Sequence, residues 1–346
     1  MIEARGLRKV YGRKTAVHDL SFTVRPGIVT GFLGPNGSGK STTMRMVLGL
    51  DRPTAGQVLV DGRPFAQHRA PLSSVGALLD AKAVHTGRSA LNHLRAMAAT
   101  AGIGRARVDE VIDLVGLREV AAKRAGGFSL GMGQRLGIAS ALLGDPANVM
   151  FDEPVNGLDP DGILWIRNLM KSLAAEGRSV FVSSHLMSEM ALTADHLVVI
   201  GRGRLIADES VQAFVDRVRP RGVTVRSPQV AQLTDLVRDA GGELEATGDG
   251  AFEVRGLSAE LIGDEALRRG VAVHELHTVR ASLEEAFMQL TADAVEYAAH
   301  AGPGAGPALD LSADPSTTPS AQPASGPAPE RAGRGETQRE TQEVSR

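Results

Sequence analysis

The chain has 346 residues, 42% of them hydrophobic and 23% charged, with a formal net charge of −2. That leaves room for two domains and a tail in an ordinary globular composition, and no basic surface for nucleic acid. There is no cysteine, which excludes disulfides, zinc–thiolate sites and a thiol nucleophile. No run approaches the ~18 apolar residues of a membrane span. Met1–Arg5 opens a strand rather than a basic and then apolar leader, so the expectation is a cytoplasmic chain that does not cross a membrane by itself.

Residues 2–30 read as strands separated by turns, with Val24-Arg25-Pro26-Gly27 a turn signal. Tyr11, in a chain only 3% aromatic, is either an ordinary strand-end tyrosine or a flat ring that stacks on a nucleotide base. Its place upstream of the next motif favours stacking. That motif follows the short buried strand Ile28–Leu33. It reads Gly34-Pro35-Asn36-Gly37-Ser38-Gly39-Lys40-Ser41, the pattern G-x-x-x-x-G-K-S, and Thr42 continues into a helix running to Leu50. A strand, a glycine loop and a helix in that order make a phosphate-binding site. The glycines let successive backbone N–H groups turn toward phosphate oxygens, and the helix N-terminus adds partial positive charge. Lys40 is long enough to reach the outer phosphates, and the Ser41 hydroxyl suits Mg²⁺.

A turn at Pro53–Gly56, a short strand at Gln57–Val60 and an apolar strand at Val75–Leu79 ending at Asp80 come next. Residues 89–101 and 108–115 carry apolar side chains at helical spacing and read as a helical insertion. Ser129 reads as the cap of a helix bearing Leu136, Ile138, Ala139 and Leu142. With Gly131 it is either a plain cap or an anion site at the positive end of that helix. Val149-Met150-Phe151-Asp152-Glu153 is a continuous apolar run closed by two acids. Such a run suits a strand buried on both faces of a parallel sheet, and its C-terminal edge is where open α/β sheets place ligands. Asp152 suits Mg²⁺ coordination, and Glu153 suits deprotonation of an attacking water. Asp159-Pro160 leads into a helix with Ile163, Ile166, Met170 and Leu173 as its buried stripe and Gly177 as its stop. Ser179–Ser184 is another buried strand; His185 at its end is either a polar strand end or a partner for a γ-phosphate.

From Gly222 the pattern changes to strand, helix, two strands, helix, strand, the order of a small α+β ferredoxin-like domain. Its hairpin turns at Asp249-Gly250. His274 and His277 are an odd number apart on the strand expected over 271–279, face opposite sides and read as structural. Ser282 and Glu285 form an S-x-x-E cap for a last helix. From about 300, Ala, Gly, Pro and Ser dominate, and residues 300–346 read as a disordered tail.

Taken together, residues 1–215 resemble the ATP-binding subunit of an ABC transporter. Gly34 to Ser41 resembles that family's Walker A loop, and Val149 to Glu153 its Walker B strand with Glu153 in the catalytic position. Asp159 matches the D-loop, His185 the switch histidine and Tyr11 the adenine-stacking residue. Phe128 to Met132 occupies the signature position, usually Leu-Ser-Gly-Gly-Gln; Ser129 and Gly131 keep its pattern, whereas Phe128, Leu130 and Met132 depart from it. Asp80 stands where the family usually has a glutamine that contacts Mg²⁺ and the membrane subunit. The departures, with the Ser282–Phe287 helix, resemble the drug-export and bacteriocin-immunity subgroup, daunorubicin/doxorubicin resistance ATPases among them.

The resemblance implies an α/β fold of the P-loop NTPase class, ABC ATPase type, with antiparallel β and helical subdomains over 1–215; the element order adds the ferredoxin-like unit over 222–291. It implies ATP and Mg²⁺ as cofactors, with hydrolysis by positioning and charge neutralisation. Two subunits, a homodimer, would sandwich two ATP molecules head to tail. Tyr11, the Lys40 loop and Asp152 of one chain would face Ser129 and Gly131 of the other. A separate integral-membrane permease would carry a hydrophobic drug or antibiotic outward, with this chain peripheral on the inner face of the cell membrane. The alternative is a soluble ABC-type ATPase acting on ribosomes or DNA. It fits less well: translation-factor forms carry two nucleotide domains and chromosome-maintenance forms long coiled coils, and this chain has one phosphate loop and neither. A nucleotide sensor without catalysis would not need Lys40, Asp152, Glu153 and His185 all intact.

Overall fold

A computed structural model of the chain describes residues 1–80, 83–218, 222–248, 250–279 and 281–291. The tail expected from 300 and Asp249 of the hairpin turn lie outside the described residues. In chain order, β1 (Ile2–Tyr11) and β2 (Lys14–Val24) form a hairpin, and β3 (Val29–Leu33) feeds the glycine loop and α1 (Lys40–Val47). β4 (Ala55–Val60), α2 (Pro71–Ser74) and β5 (Val75–Leu78) follow, then three helices: α3 (Ala90–Thr100), α4 (Arg105–Leu114) and α5 (Leu130–Leu142). The expected helical insertion is α3 and α4, whose Leu94, Ala98, Val108, Val111 and Ile112 are buried at the predicted spacing. β6 (Asn148–Asp152), α6 (Pro160–Ala175), β7 (Ser179–Ser184), α7 (Met187–Thr193), β8 (His196–Gly201), β9 (Arg204–Ser210) and α8 (Val211–Asp216) complete this part. β8 and β9 are additions to the sequence reading.

A six-stranded sheet runs β5-β6-β7-β3-β8-β9, parallel except for the antiparallel edge strand β9. A three-stranded antiparallel sheet, β2-β1-β4, lies over part of it. This two-sided cover explains the uninterrupted apolar strands. Successive side chains of a strand point to opposite faces, and here each face meets a different core. Val29, Val149, Phe151, Val180 and Val182 join the cluster formed with the helices. Phe32, Met150 and Phe181 join the cluster under the antiparallel sheet. Phe22 stacks on Phe32 and on Phe181, and Phe32 and Phe181 meet tilted, with centroids 5.0–5.6 Å apart, each such pair contributing about 0.5–1.5 kcal/mol beyond its buried area. β3 is thereby anchored from both sides.

Register then sets the site. Leu33 pairs with Ser184, and Asp152 with Ser183. The C-terminal ends of β3, β6 and β7 are level, so the glycine loop, Glu153 and His185 leave the sheet at one edge.

A third sheet is built by β10 (Gly222–Arg226), α9 (Val230–Asp239), β11 (Glu243–Gly248), β12 (Ala251–Arg255), α10 (Ala259–Arg269) and β13 (Glu275–Val279). Its order β11-β12-β10-β13, all antiparallel, is the ferredoxin-like arrangement the element order predicted. β13 starts later than the expected 271, so His274 precedes the strand and only His277 lies on it, opposite Thr224. α11 (Leu283–Thr291) is capped as predicted: the Glu285 N–H donates to Ser282 Oγ at 3.1 Å, and the Ser282 N–H to Glu285 Oε2 at 3.0 Å. The element order in the sequence assigns this helix to the 222–291 unit. Its Leu283, Ala286 and Phe287 instead pack in the cluster that holds Leu33, Val155 and Met190, with α11 lying on α7 and α8.

Candidate functional site

The loop from Gly34 to Lys40 closes tightly between neighbouring backbones. Gly39 has φ +105°, and a Cβ there would sit 2.7 Å from the Ala16 carbonyl oxygen, so both conformation and space require glycine. A Cβ on Gly34 would come within 2.5 Å of the Ile200 carbonyl oxygen. Lys40, at the start of α1, is only 7% exposed. Its ammonium donates to the Gly34 carbonyl at 2.6 Å and lies 3.3 Å from that of Pro35. Burial lowers its pKa below the usual lysine value, and the Glu153 and Asp152 carboxylates pull the other way. Ser38 Oγ is buried without a hydrogen-bond partner. A buried cation held by neutral carbonyls and an orphaned hydroxyl in one loop are what an incoming anion would satisfy.

The acids sit across from this loop. Asp152 ends β6 and accepts a short hydrogen bond from Ser183 Oγ. That hydroxyl in turn accepts the Glu153 N–H at 3.0 Å. Glu153 has φ +51°, a left-handed conformation costing of order 1–3 kcal/mol in a non-glycine residue. It is held from several directions. Its Oε2 lies 2.7 Å from His185 Nδ1, and its carbonyl accepts Gln134 Nε2 at 3.1 Å and the Asn156 N–H at 3.2 Å.

Loop and acids line one cleft of about 650 Å³, within the range of small-ligand sites. Its lining includes Asn36, Gly37, Ser38, Gly39, Lys40, Ser41 and Thr42 of the loop, the acids Asp80, Asp152 and Glu153, and Tyr11. Tyr11 is 47% exposed, and its hydroxyl donates to Asp51 Oδ2 at 2.9 Å, which fixes the ring where it lines the cleft. Ser41, Asp80 and Asp152 bring three hard oxygen donors to this cleft. Among the described residues no cluster of three or more His, Asp or Glu could hold a metal alone. This donor set fits Mg²⁺, which takes few protein ligands and completes its shell with phosphate and water.

The other expected site residues lie outside the cleft. Gly34 and Pro35 contribute carbonyls beneath it, and His185 reaches it through Glu153. Ser129 caps α5 by accepting the Met132 N–H at 3.2 Å, and Asp159 caps α6 by accepting the Gly162 N–H at 2.9 Å. Gly131 runs close to the Gly157 carbonyl, 3.2 Å from a built Cβ. Conversely, Lys14, Ala16, Leu79, Leu130, Gln134 and Asn156 line the cleft although no sequence pattern assigns them to it. Lys14 was within reach, because it pairs with Tyr11 across the first hairpin. Gln134 also left a signal: it shares a helical stripe with Ile138, Ala141 and Leu142, all buried, which is an unusual place for a lone amide.

Comparison with known proteins agrees with this geometry. Residues 17–156 match the family described as ABC transporter, and residues 221–284 match a domain of unknown function. An uncharacterized ABC transporter ATP-binding protein, YhcH of Bacillus subtilis (strain 168), is 35% identical over 310 residues, spanning 87% of this chain and 99% of that protein. The bacitracin transport ATP-binding protein BcrA of Bacillus licheniformis is 41% identical over 211 residues, 60% of this chain and 69% of that protein. Among solved structures, an ATP-binding subunit of an ABC transporter superposes with a TM-score of 0.58 at 25% identity, covering 63% of this chain and 92% of that one. A phosphate-loop cleft with its acids at one sheet edge, in a chain matched along nearly its whole length by such a relative, belongs to the ABC transporter family as one of its ATP-binding proteins.

Proposed function

We propose that this chain hydrolyses ATP to power export of an antibiotic or hydrophobic drug through a separate integral-membrane permease. The observation that carries the reading is the Glu153 carboxylate, held 2.7 Å from His185 Nδ1 in the cleft that Lys40 also lines. An acid oriented by a histidine beside a phosphate loop is the arrangement a water-activating base needs. ATP would stack its base on Tyr11 and lay its phosphates along the loop from Gly34 to Thr42. Lys40 would exchange the Gly34 and Pro35 carbonyls for the outer phosphates. Ser41, Asp152 and Asp80 would hold Mg²⁺, which supplies charge neutralisation on the phosphates. Glu153 would take the proton of the attacking water as the water oxygen bonds to the γ-phosphorus and the bond to the ADP oxygen breaks, ADP leaving with the electron pair; His185 would orient Glu153 and the γ-phosphate.

Ser129, Gly131 and Asp159 lie outside their own chain's cleft. In the proposed head-to-tail pair, Ser129 and Gly131 complete the nucleotide site of the second subunit, and Asp159 orders the facing loop. No helix among the described residues is long and apolar enough to cross a membrane, which fits a subunit on the inner face of the membrane beside its permease. The relative named for bacitracin transport supports an antibiotic as the cargo. The test is reconstitution in liposomes with a multi-span membrane protein that co-purifies with this chain from detergent-solubilised membranes, following bacitracin and daunorubicin movement on addition of MgATP. Transport is expected only with both chains present and is lost with Glu153→Gln. ATP turnover without transport of any cargo by the pair would overturn the exporter reading.

A further inference from the structure

The hydrogen bonds around Glu153 contain one that the proposed chemistry does not use. Glu153 stands just past β6 with φ +51°. Its N–H is held by the β7 residue Ser183, and its carboxylate by His185 just past that strand. These partners fix one side of the residue. The carbonyl side is different: it accepts the Asn156 N–H of its own turn, at 3.2 Å, and the amide Nε2 of Gln134, at 3.1 Å. Gln134 belongs to α5, the helix that Ser129 caps, and is only 4% exposed. It also lines the cleft. A buried amide on an otherwise apolar stripe is costly to keep unless its hydrogen bond is used.

We propose that Gln134 is a positioning residue for the hydrolytic step, holding the peptide after Glu153 so that its left-handed backbone aims the carboxylate at the attacking water. The inference rests on the reading of Glu153 as the base. A rotation of that peptide turns φ and ψ of the adjoining residues and swings the carboxylate, and misplacement by about 1 Å can cost about a hundredfold in rate. Gln134 lines the cleft but hydrogen-bonds the Glu153 carbonyl and not the phosphate loop or Tyr11, so nucleotide affinity is expected to change less than the rate of hydrolysis.

Two substitutions test this. Gln134→Met keeps length and helix propensity but removes the donor. It is expected to lower kcat about tenfold or more while KM for MgATP changes less than about twofold. Gln134→Glu restores the donor only when its carboxyl is protonated. Burial raises the pKa of such a carboxyl, so the kcat of this variant, relative to the unaltered protein, should rise as pH is lowered from 8 to 6, whereas the ratio for Gln134→Met stays flat. Glu153→Gln is measured beside them. If Glu153→Gln is inactive and Gln134→Met turns over at the full rate, Gln134 does not position the base and the inference falls alone. A slowed Gln134→Met accompanied by a pH-independent Gln134→Glu ratio reduces Gln134 to packing and overturns it as well. If Glu153→Gln itself turns over at the full rate, the base assignment fails first and carries the inference with it. Melting temperatures and binding of a fluorescent ATP analogue, read on all three variants, separate a folding defect from a catalytic one.

Discussion

Phe287→Ala asks to which core the last helix belongs. Phe287 is 4% exposed and packs, with Leu283 and Ala286, among residues of β3, α7 and α8 rather than in the cluster under β10–β13. Truncating a fully buried phenylalanine costs about 3–5 kcal/mol, from lost transfer energy plus the cavity left behind. Unfolding entropy of about 2.1 cal/mol/K per residue over roughly 290 residues comes to about 0.6 kcal/mol/K, so the melting temperature should fall by about 5–8 °C. Differential scanning calorimetry reads this directly. Leu267→Ala, at a site 83% exposed, is the control and should stay within about ±0.5 kcal/mol. The loss should appear in the transition that MgATP raises, because ligand stabilises the unit that binds it. An unchanged melting temperature would refute the packing argument. So would a shift confined to a separate transition that Leu236→Ala, in the core of the third sheet, also lowers. The same reasoning makes a cut before Gly222 harmful: it removes α11 and bares the α7–α8 surface beneath it.

Glu153→Gln should slow hydrolysis about 10²–10⁴-fold while MgATP still binds; light scattering should then show a doubled mass with ATP and not with ADP. Gly39→Ala must abandon φ +105° or push back the Ala16 carbonyl, so calorimetric titration should find ATP affinity reduced at least about tenfold, the equivalent of about 1.4 kcal/mol. Ser183→Ala leaves the Glu153 N–H without its side-chain acceptor and Asp152 without its donor, and should cost about 1–3 kcal/mol in urea melts. Burial disfavours the charged form of Lys40 in the folded chain. Between that lowered folded value and the usual lysine value of about 10.4 the unfolded chain binds more protons, so stability gains from rising pH there. Lys40→Met should flatten that alkaline gain in thermal melts, leave the nucleotide-free protein at least as stable at neutral pH, and abolish the rise in melting temperature caused by ATP.

Much of this molecule could be read from local sequence because its signals are local. The glycine loop needs residues that tolerate left-handed φ and close backbone approach, and only glycine at positions such as Gly39 supplies both. β3, β6 and β7 are apolar without alternation because each of their faces meets a different core. The caps at Ser129, Asp159 and Ser282 are contacts within three residues, so short patterns reveal them. What tertiary structure decided are contacts between residues far apart in the chain. The register that levels Asp152 with Ser183, and Leu33 with Ser184, sets Glu153 beside His185. The Gln134 amide reaches Glu153 across 19 positions, and no spacing rule for one helix or strand speaks of such a pair. α11 shows the limit most plainly. Its capping box and apolar stripe specify a helix and the face it must bury, but an apolar face fits any apolar partner. The choice of α7 and α8 over the neighbouring ferredoxin-like sheet was made by the shape of the whole fold.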